Sequence, residues 1–149
     1  MFVRGFEAAA FGTNCWVVAP AEGEQCVVID PGIGVQDQLD ALLTQHRLQP
    51  VAVLLTHGHL DHTFSVTPVC GARGIPAIAS DCEAYRDVID HGVNGFLVKY
   101  DHEWLSYMSE LARDDGLRAK MGEAARAMAA RHTIEEHWTR WAGAYRGLF

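Results

Sequence analysis

The chain has 149 residues, 49% hydrophobic and 21% charged, which suits one compact domain able to bury a full core. A net charge of -7 with no run of Lys or Arg excludes a nucleic-acid groove as the expected partner surface. No apolar run approaches transmembrane length, and the first seven residues, Met1 to Glu7, lack the apolar core of a signal peptide, so no membrane partner is expected.

Cys15, Cys26, Cys70 and Cys82 form no C-x-x-C pair and sit singly in apolar surroundings. That pattern suggests reduced, buried thiols in a cytoplasmic protein. Charge is unevenly spread. Residues 1–78 hold three Lys/Arg and seven Asp/Glu, whereas residues 79–149 hold nine and twelve. Strand-like runs dominate the first part and helix-like runs the second, as expected of two segments with different origins or roles.

In chain order, Thr13 to Val18 and Gln25 to Ile29 read as strands joined by the turn Pro20-Ala21-Glu22-Gly23, giving a hairpin. Asp30-Pro31-Gly32 stops the second strand. Val35, Leu39, Leu42, Leu43 and His46 recur at helical spacing and predict a helix near 36–47, closed by Pro50. The apolar run Val51 to Leu55 predicts a buried strand.

That strand ends in Thr56-His57-Gly58-His59-Leu60-Asp61-His62, which places three imidazoles and a carboxylate within six residues. Such a cluster at a buried strand end reads as a metal site, and its donors suit Zn²⁺, Fe or Mn. Open α/β sheets present ligands at this strand edge. Three imidazoles and one carboxylate can close a tetrahedral shell, or form two half-built sites. The expectation is therefore one equivalent of Zn²⁺ or fewer, at partial occupancy.

Residues 61–72 predict one short helix, 74–79 a strand, 83–89 a helical turn or two, and 96–98 a short strand after the turn Gly92-Val93-Asn94-Gly95. Three C-terminal helices follow. The first carries the stripe Trp104, Leu105, Met108, Leu111 and Ala112, and the second Leu117, Met121, Ala125, Met128 and Ala129. The third opens with the capping box Thr133 to Glu136 and carries Ile134, Trp138, Trp141, Tyr145 and Leu148.

Two resemblances cover the chain. The patterns Thr13 to Val18, Val27 to Gly32 and Thr56 to His62 resemble those of metallo-β-lactamase-fold hydrolases, nearest the glyoxalase II-like branch, over residues 1–78. The resemblance implies a dinuclear site, usually zinc, with His57 and His59 on the first metal and Asp61 and His62 on the second. It implies that Asp30 braces the metal loop through hydrogen bonds. It further implies hydrolysis of a small-molecule thioester, ester or amide, with Asp61 as the catalytic carboxylate that orients or deprotonates the nucleophile. That family also uses a later histidine in a Gly-His-Thr-x-Gly loop, a bridging aspartate and a last histidine. His91, His102, His132 and His137 lie in none of those contexts.

Gly74 to Asp81, then Tyr85 to Val98 and the helices beyond, resemble the end of a GT-B glycosyltransferase over residues 74–149. The glutamate pair that holds a nucleotide sugar in that family lies upstream of the Gly-x-Pro strand, where this chain has metallo-hydrolase sequence. Glu83-Ala84 stands in place of its Gly-Gly.

The expected product is a single chimeric domain, residues 1–149, joined near 73–79. Its fold class is α/β: a mostly parallel central sheet with helices on both faces, an N-terminal hairpin at one edge and three C-terminal helices. The expected function is a partial metal site with weak or absent hydrolase activity; the alternatives are an inert α/β scaffold or, further off, a fragment of a nucleotide-sugar glycosyltransferase. Oligomeric state stays open.

Overall fold

The computed structural model describes residues 1–132 together with Trp138, Thr139, Ala142, Gly143 and Arg146. Six strands form one sheet in chain order: β1 (Phe2–Glu7), β2 (Asn14–Ala19), β3 (Gln25–Ile29), β4 (Gln49–Leu55), β5 (Ala77–Ser80) and β6 (Gly95–Val98). β1–β2 and β2–β3 pair antiparallel, whereas β3–β4, β4–β5 and β5–β6 pair parallel. Between the parallel strands run α1 (Gln36–His46), α2 (Leu60–Thr63), α3 (Val66–Arg73) and α4 (Glu83–Arg86). α5 (Asp101–Arg113) and α6 (Asp115–Ala130) follow the last strand. Among the described residues no helix is long and apolar enough to cross a membrane.

Alternation along the strands splits the core in two. On one face Val17, Val28, Val53, Leu55 and Ala79 are buried with Leu39 and Leu43 of α1, Val69 and Cys70 of α3, and Tyr85 of α4. On the other, Ala52, Ile78, Phe96 and Val98 pack against Leu111 and Met121 of α5 and α6. Helices thus cover both faces of β4–β6. Over β1–β3 the second face keeps Val3 and Trp16 exposed.

Several elements differ from the sequence reading. β1 is an additional strand, so the hairpin is not the sheet edge. Gly5 hides it from period-two reading, yet Gly5 pairs with Trp16 and a Cβ there would meet the indole ring at 2.6 Å. The missing side chain lets the ring lie across the strand. Pro50 does not end a connection; it lies inside β4, next to a register shift between Cys26 and Val27, where a missing N–H is tolerated. The helix expected over 61–72 is two helices, because the backbone N–H of Ser65 donates to the carbonyl of Pro31 at 3.0 Å and leaves the helical ladder. On α5, Leu105 and Ala112 face solvent, and Tyr107 takes the inward place beside Trp104 and Met108. The third C-terminal helix and its capping box fall largely outside the described residues. Cys15, Cys26 and Cys70 are buried free thiols, whereas Cys82 is half-buried.

The two sequence segments meet most closely where α6 crosses the end of α3. A Cβ on Gly122 would lie 1.7 Å from the carbonyl oxygen of Gly74, and one on Gly71 would lie 2.9 Å from Cβ of Ala129. The Arg126 guanidinium adds a hydrogen bond to the carbonyl of Gly71 at 3.1 Å. Small residues on both helices let the backbones touch, so this crossing tolerates no added volume. In an open helix Gly→Ala gains about 1 kcal/mol. Here Gly122→Ala overpacks a backbone contact and should instead destabilise by about 1–3 kcal/mol. In single-tryptophan variants retaining Trp16 or Trp104, both probes should shift together to lower denaturant. Separate transitions for the two probes would show that the segments fold independently.

Candidate metal centre

The site is built where β3 and β4 end side by side. Parallel pairing brings Ile29 opposite Leu54, so Asp30 and Thr56 leave the sheet at the same edge. The backbone N–H of Asp30 continues the ladder to the carbonyl of Leu54 at 3.0 Å. Asp30 then turns into the left-handed region at φ 50°, a conformation that aspartate tolerates better than most residues and that often marks a functional site.

The turn sends the Asp30 carboxylate inward, and the residue is only 5% exposed. Its Oδ1 accepts the backbone N–H of Thr56 at 2.8 Å. Its Oδ2 accepts the Thr56 hydroxyl at 2.5 Å and lies 3.0 Å from Nδ1 of His62. The Thr56 hydroxyl also lies 3.0 Å from Nδ1 of His57.

These contacts fix tautomers. A carboxylate only accepts, so the His62 contact places a proton on Nδ1. The Thr56 hydroxyl has one proton and gives it to Asp30, so the His57 contact likewise needs a proton on Nδ1. Both neutral rings then carry their lone pair on Nε2, the atom left for a metal. Ligating histidines in general donate their second N–H in this way to a carboxylate or its relay.

The other members are close by. The rings of His57 and His62 have centroids 3.9 Å apart, and those of His57 and His59 are 4.6 Å apart. His59 precedes α2, and its carbonyl accepts the backbone N–H of His62 at 3.0 Å. Asp61 Oδ2 accepts the Thr13 hydroxyl at 2.7 Å and lies 3.6 Å from Nε2 of His62. That hydroxyl is the main reason the Asp61 carboxyl is held below the usual carboxylate range, with His62 and His59 adding smaller effects. Asp61 is therefore ionised at neutral pH.

Two glycines make the crowding possible. A Cβ on Gly32 would sit 2.2 Å from the carbonyl oxygen of Asp61. One on Gly58 would meet Sγ of Cys82 at 3.3 Å. From the second segment, Tyr85 donates its hydroxyl to the carbonyl of His57 at 2.7 Å and so ties α4 to the loop.

Asp30, His57 and His62 offer ligand atoms that all lie within 4.8 Å of one another. Asp30 makes the bracing hydrogen bonds that the resemblance implies, with both its oxygens engaged, and also lies within the cluster itself. Of the four expected ligands the cluster holds His57 and His62; His59 and Asp61 neighbour it in the loop but lie outside it. Two imidazoles and a carboxylate are donors that suit a metal ion. Among the described residues the remaining histidines lie elsewhere. His91 accepts the backbone N–H of Leu97 on Nδ1 at 3.0 Å and packs on Phe96 and Tyr107. His102 stacks on Tyr100. Nδ1 of His132 lies 3.0 Å from the carbonyl of Met128. His137 falls outside the described residues.

Comparison with known proteins agrees with both segments. A region of 85 residues is 39% identical to an uncharacterized protein of Mycobacterium tuberculosis, covering 57% of this chain and 38% of that one. Over 88 residues the chain is 32% identical to a hydroxyacylglutathione hydrolase of Halorhodospira halophila, covering 59% of this chain and 33% of that one. The chain thus spans less than two-fifths of the length of these relatives. Among solved structures, the B3 metallo-beta-lactamase BLEG-1 superposes with a TM-score of 0.51 at 28% identity, covering 60% of this chain and 41% of that one. ETHE1 from Myxococcus xanthus shares the fold with a TM-score of 0.50 at 18% identity, covering 67% and 41%. The family model of group 1 glycosyl transferases matches residues 70–128, so the second segment resembles that family over less than half of the chain. The family model of the metallo-beta-lactamase superfamily matches residues 8–87, more than half of the chain and the whole of the Asp30–His62 arrangement, and the chain belongs to that superfamily.

Proposed function

We propose that the chain is a metal-binding protein with a partial hydrolase centre. His57 and His59 would hold one ion, and Asp61 with His62 would hold or border a second position. The observation that supports this is the hydrogen-bond relay from Asp30 through Thr56 to His57, with its direct branch to His62, which leaves Nε2 as the lone-pair nitrogen of each ring. The preferred ion is Zn²⁺, as imidazole and carboxylate donors suit it.

When bound, such an ion lowers the pKa of water toward about 7 and polarises a carbonyl. The protein's own groups do the rest. Asp61, held ionised by Thr13, orients a water by accepting its hydrogen bond; its lowered pKa makes it a weak base. Asp30 keeps His57 and His62 in the binding tautomer. The substrates that suit such a centre are thioesters and related esters, the class to which the hydroxyacylglutathione of the named hydrolases belongs. The inert-scaffold reading draws on one observation: none of His91, His102 and His132 joins the cluster among the described residues.

Zinc should raise the melting temperature by mass action. The shift should weaken in acid, where protons compete with the metal for the imidazoles. The double change His57→Ala and His59→Ala should abolish it, and His102→Ala should leave it intact. A parent protein indifferent to zinc would hand the case to the scaffold reading. Asp30→Asn keeps the shape but weakens the acceptor of three hydrogen bonds. It should cost about 10–100-fold in zinc affinity, read by chelator competition. Hydrolysis of a hydroxyacylglutathione thioester by the zinc-loaded protein should run on the order of 10³-fold or more below a complete dinuclear enzyme. Fast turnover abolished by a chelator would instead mean that a later histidine completes the centre.

A further inference from the structure

Behind the histidine loop lies a half-enclosed cavity of about 150 Å³. Its wall joins both sequence segments. Gly58 and Cys70 come from the first, Tyr85 and Ile89 from the α4 region, and Ala125 and Ala129 from α6. The cavity therefore exists only because the glycosyltransferase-like helices are docked on the metallo-beta-lactamase sheet.

The chemistry of the wall selects an uncharged guest. Among the described residues the wall carries no Asp, Glu, Lys or Arg, and His132 is its one imidazole. Several polar groups on it are already committed to the protein. The Tyr85 hydroxyl donates to the carbonyl of His57, which leaves the aromatic ring to the cavity. The Asn94 amide donates to the carbonyl of Val88 and accepts the backbone N–H of Asp90. Burial pushes the Cys70 thiol up to about 12, so it stays neutral. Thr63 and Thr67 supply hydroxyls that can meet a carbonyl or ester oxygen.

Size narrows the guest further. An enclosed apolar cavity of about 150 Å³ takes a molecule such as benzene; this one has that volume but is half open and partly polar, so its guest displaces water. Position gives it a role. Gly58, one wall, lies between His57 and His59, and Tyr85, another, is hydrogen-bonded to the loop backbone.

We propose that this cavity binds a neutral aryl or branched-alkyl group of about benzene's size and seats the acyl portion of a substrate whose carbonyl reaches the histidine loop. The substrate class is then arylacyl or branched-chain acyl thioesters and esters. As an acyl pocket it rests on the hydrolase reading; as a binding site it does not.

Benzene added to the full-length, zinc-free protein should raise the melting temperature and shift the amide resonances of Gly58, Ala125 and Ala129. Ala84 is exposed at the rim, so Ala84→Phe fills the cavity from outside with little risk to the core. This variant, and Ala125→Leu independently, should reduce benzene affinity at least tenfold while the zinc-induced shift persists in Ala84→Phe. The zinc-loaded parent should hydrolyse a phenylacetyl thioester at least tenfold faster than the acetyl one, and Ala84→Phe should erase that preference. No benzene binding by the parent, or equal binding by both filled variants, overturns the site. Benzene binding without any acyl preference overturns its role as acyl pocket. A missing zinc shift with benzene binding intact counts against the metal reading alone.

Discussion

A strand in the middle of a sheet has backbone groups to satisfy on both sides, and in β5 the two sides answer to different parts of the chain. Its left-hand partner, β4, carries the histidine loop; its right-hand partner, β6, belongs wholly to the glycosyltransferase-like segment. Both neighbours are parallel, so each needs a crossover, and helices supply it on both sides. Gly74-Ile75-Pro76 leads from α3 into β5 with Gly74 in the left-handed conformation that ends a helix. The two family matches overlap over 70–87, the stretch that contains this turn and this strand. A helix end, a left-handed glycine and the short strand Ala77-Ile78-Ala79-Ser80 all lie within the stretch that both models match.

The metal centre depends on the same edge logic with stricter electrostatics. A buried carboxylate is costly unless it is well hydrogen-bonded. Asp30 meets that condition by collecting the donors of the histidine loop. The arrangement works in both directions: the loop neutralises the cost of the buried anion, and the anion dictates which ring nitrogens carry protons. Tyr85, in the stretch that both family models match, then holds the far side of the loop. α4 thus fixes the backbone from which His57 projects.

Much of this was legible in the sequence because it follows from spacing. The hairpin strands, α1 and the order of the parallel strands come from runs of period two or 3.6, and the histidine cluster from residue types packed after a buried strand. What escaped was set by partners distant in the chain. β1 carries Gly5 because Trp16 crosses it, a fact invisible from residues 2–7. The break at Ser65 comes from Pro31, thirty-four positions earlier. Leu105 reads as core on a helical wheel, yet the fold rotates α5 so that Tyr107 fills its place. Asp30 could be read equally as a turn residue, and only its three hydrogen bonds distinguish the two. The cavity had no sequence signal at all, since its walls come from both sides of the join.

The open side of β1–β3 has a colloidal consequence. On that face Trp16 is 42% exposed and Val3 37% exposed, and among the described residues β1 is an edge strand. A flat apolar surface next to a bare strand edge invites a second molecule to stack. The excess of seven negative charges opposes that approach at low ionic strength. At about 1 M salt the screening length falls to roughly 3 Å, and the repulsion no longer reaches across the gap between two copies. The ionic strength of the solution therefore sets how closely two such faces approach.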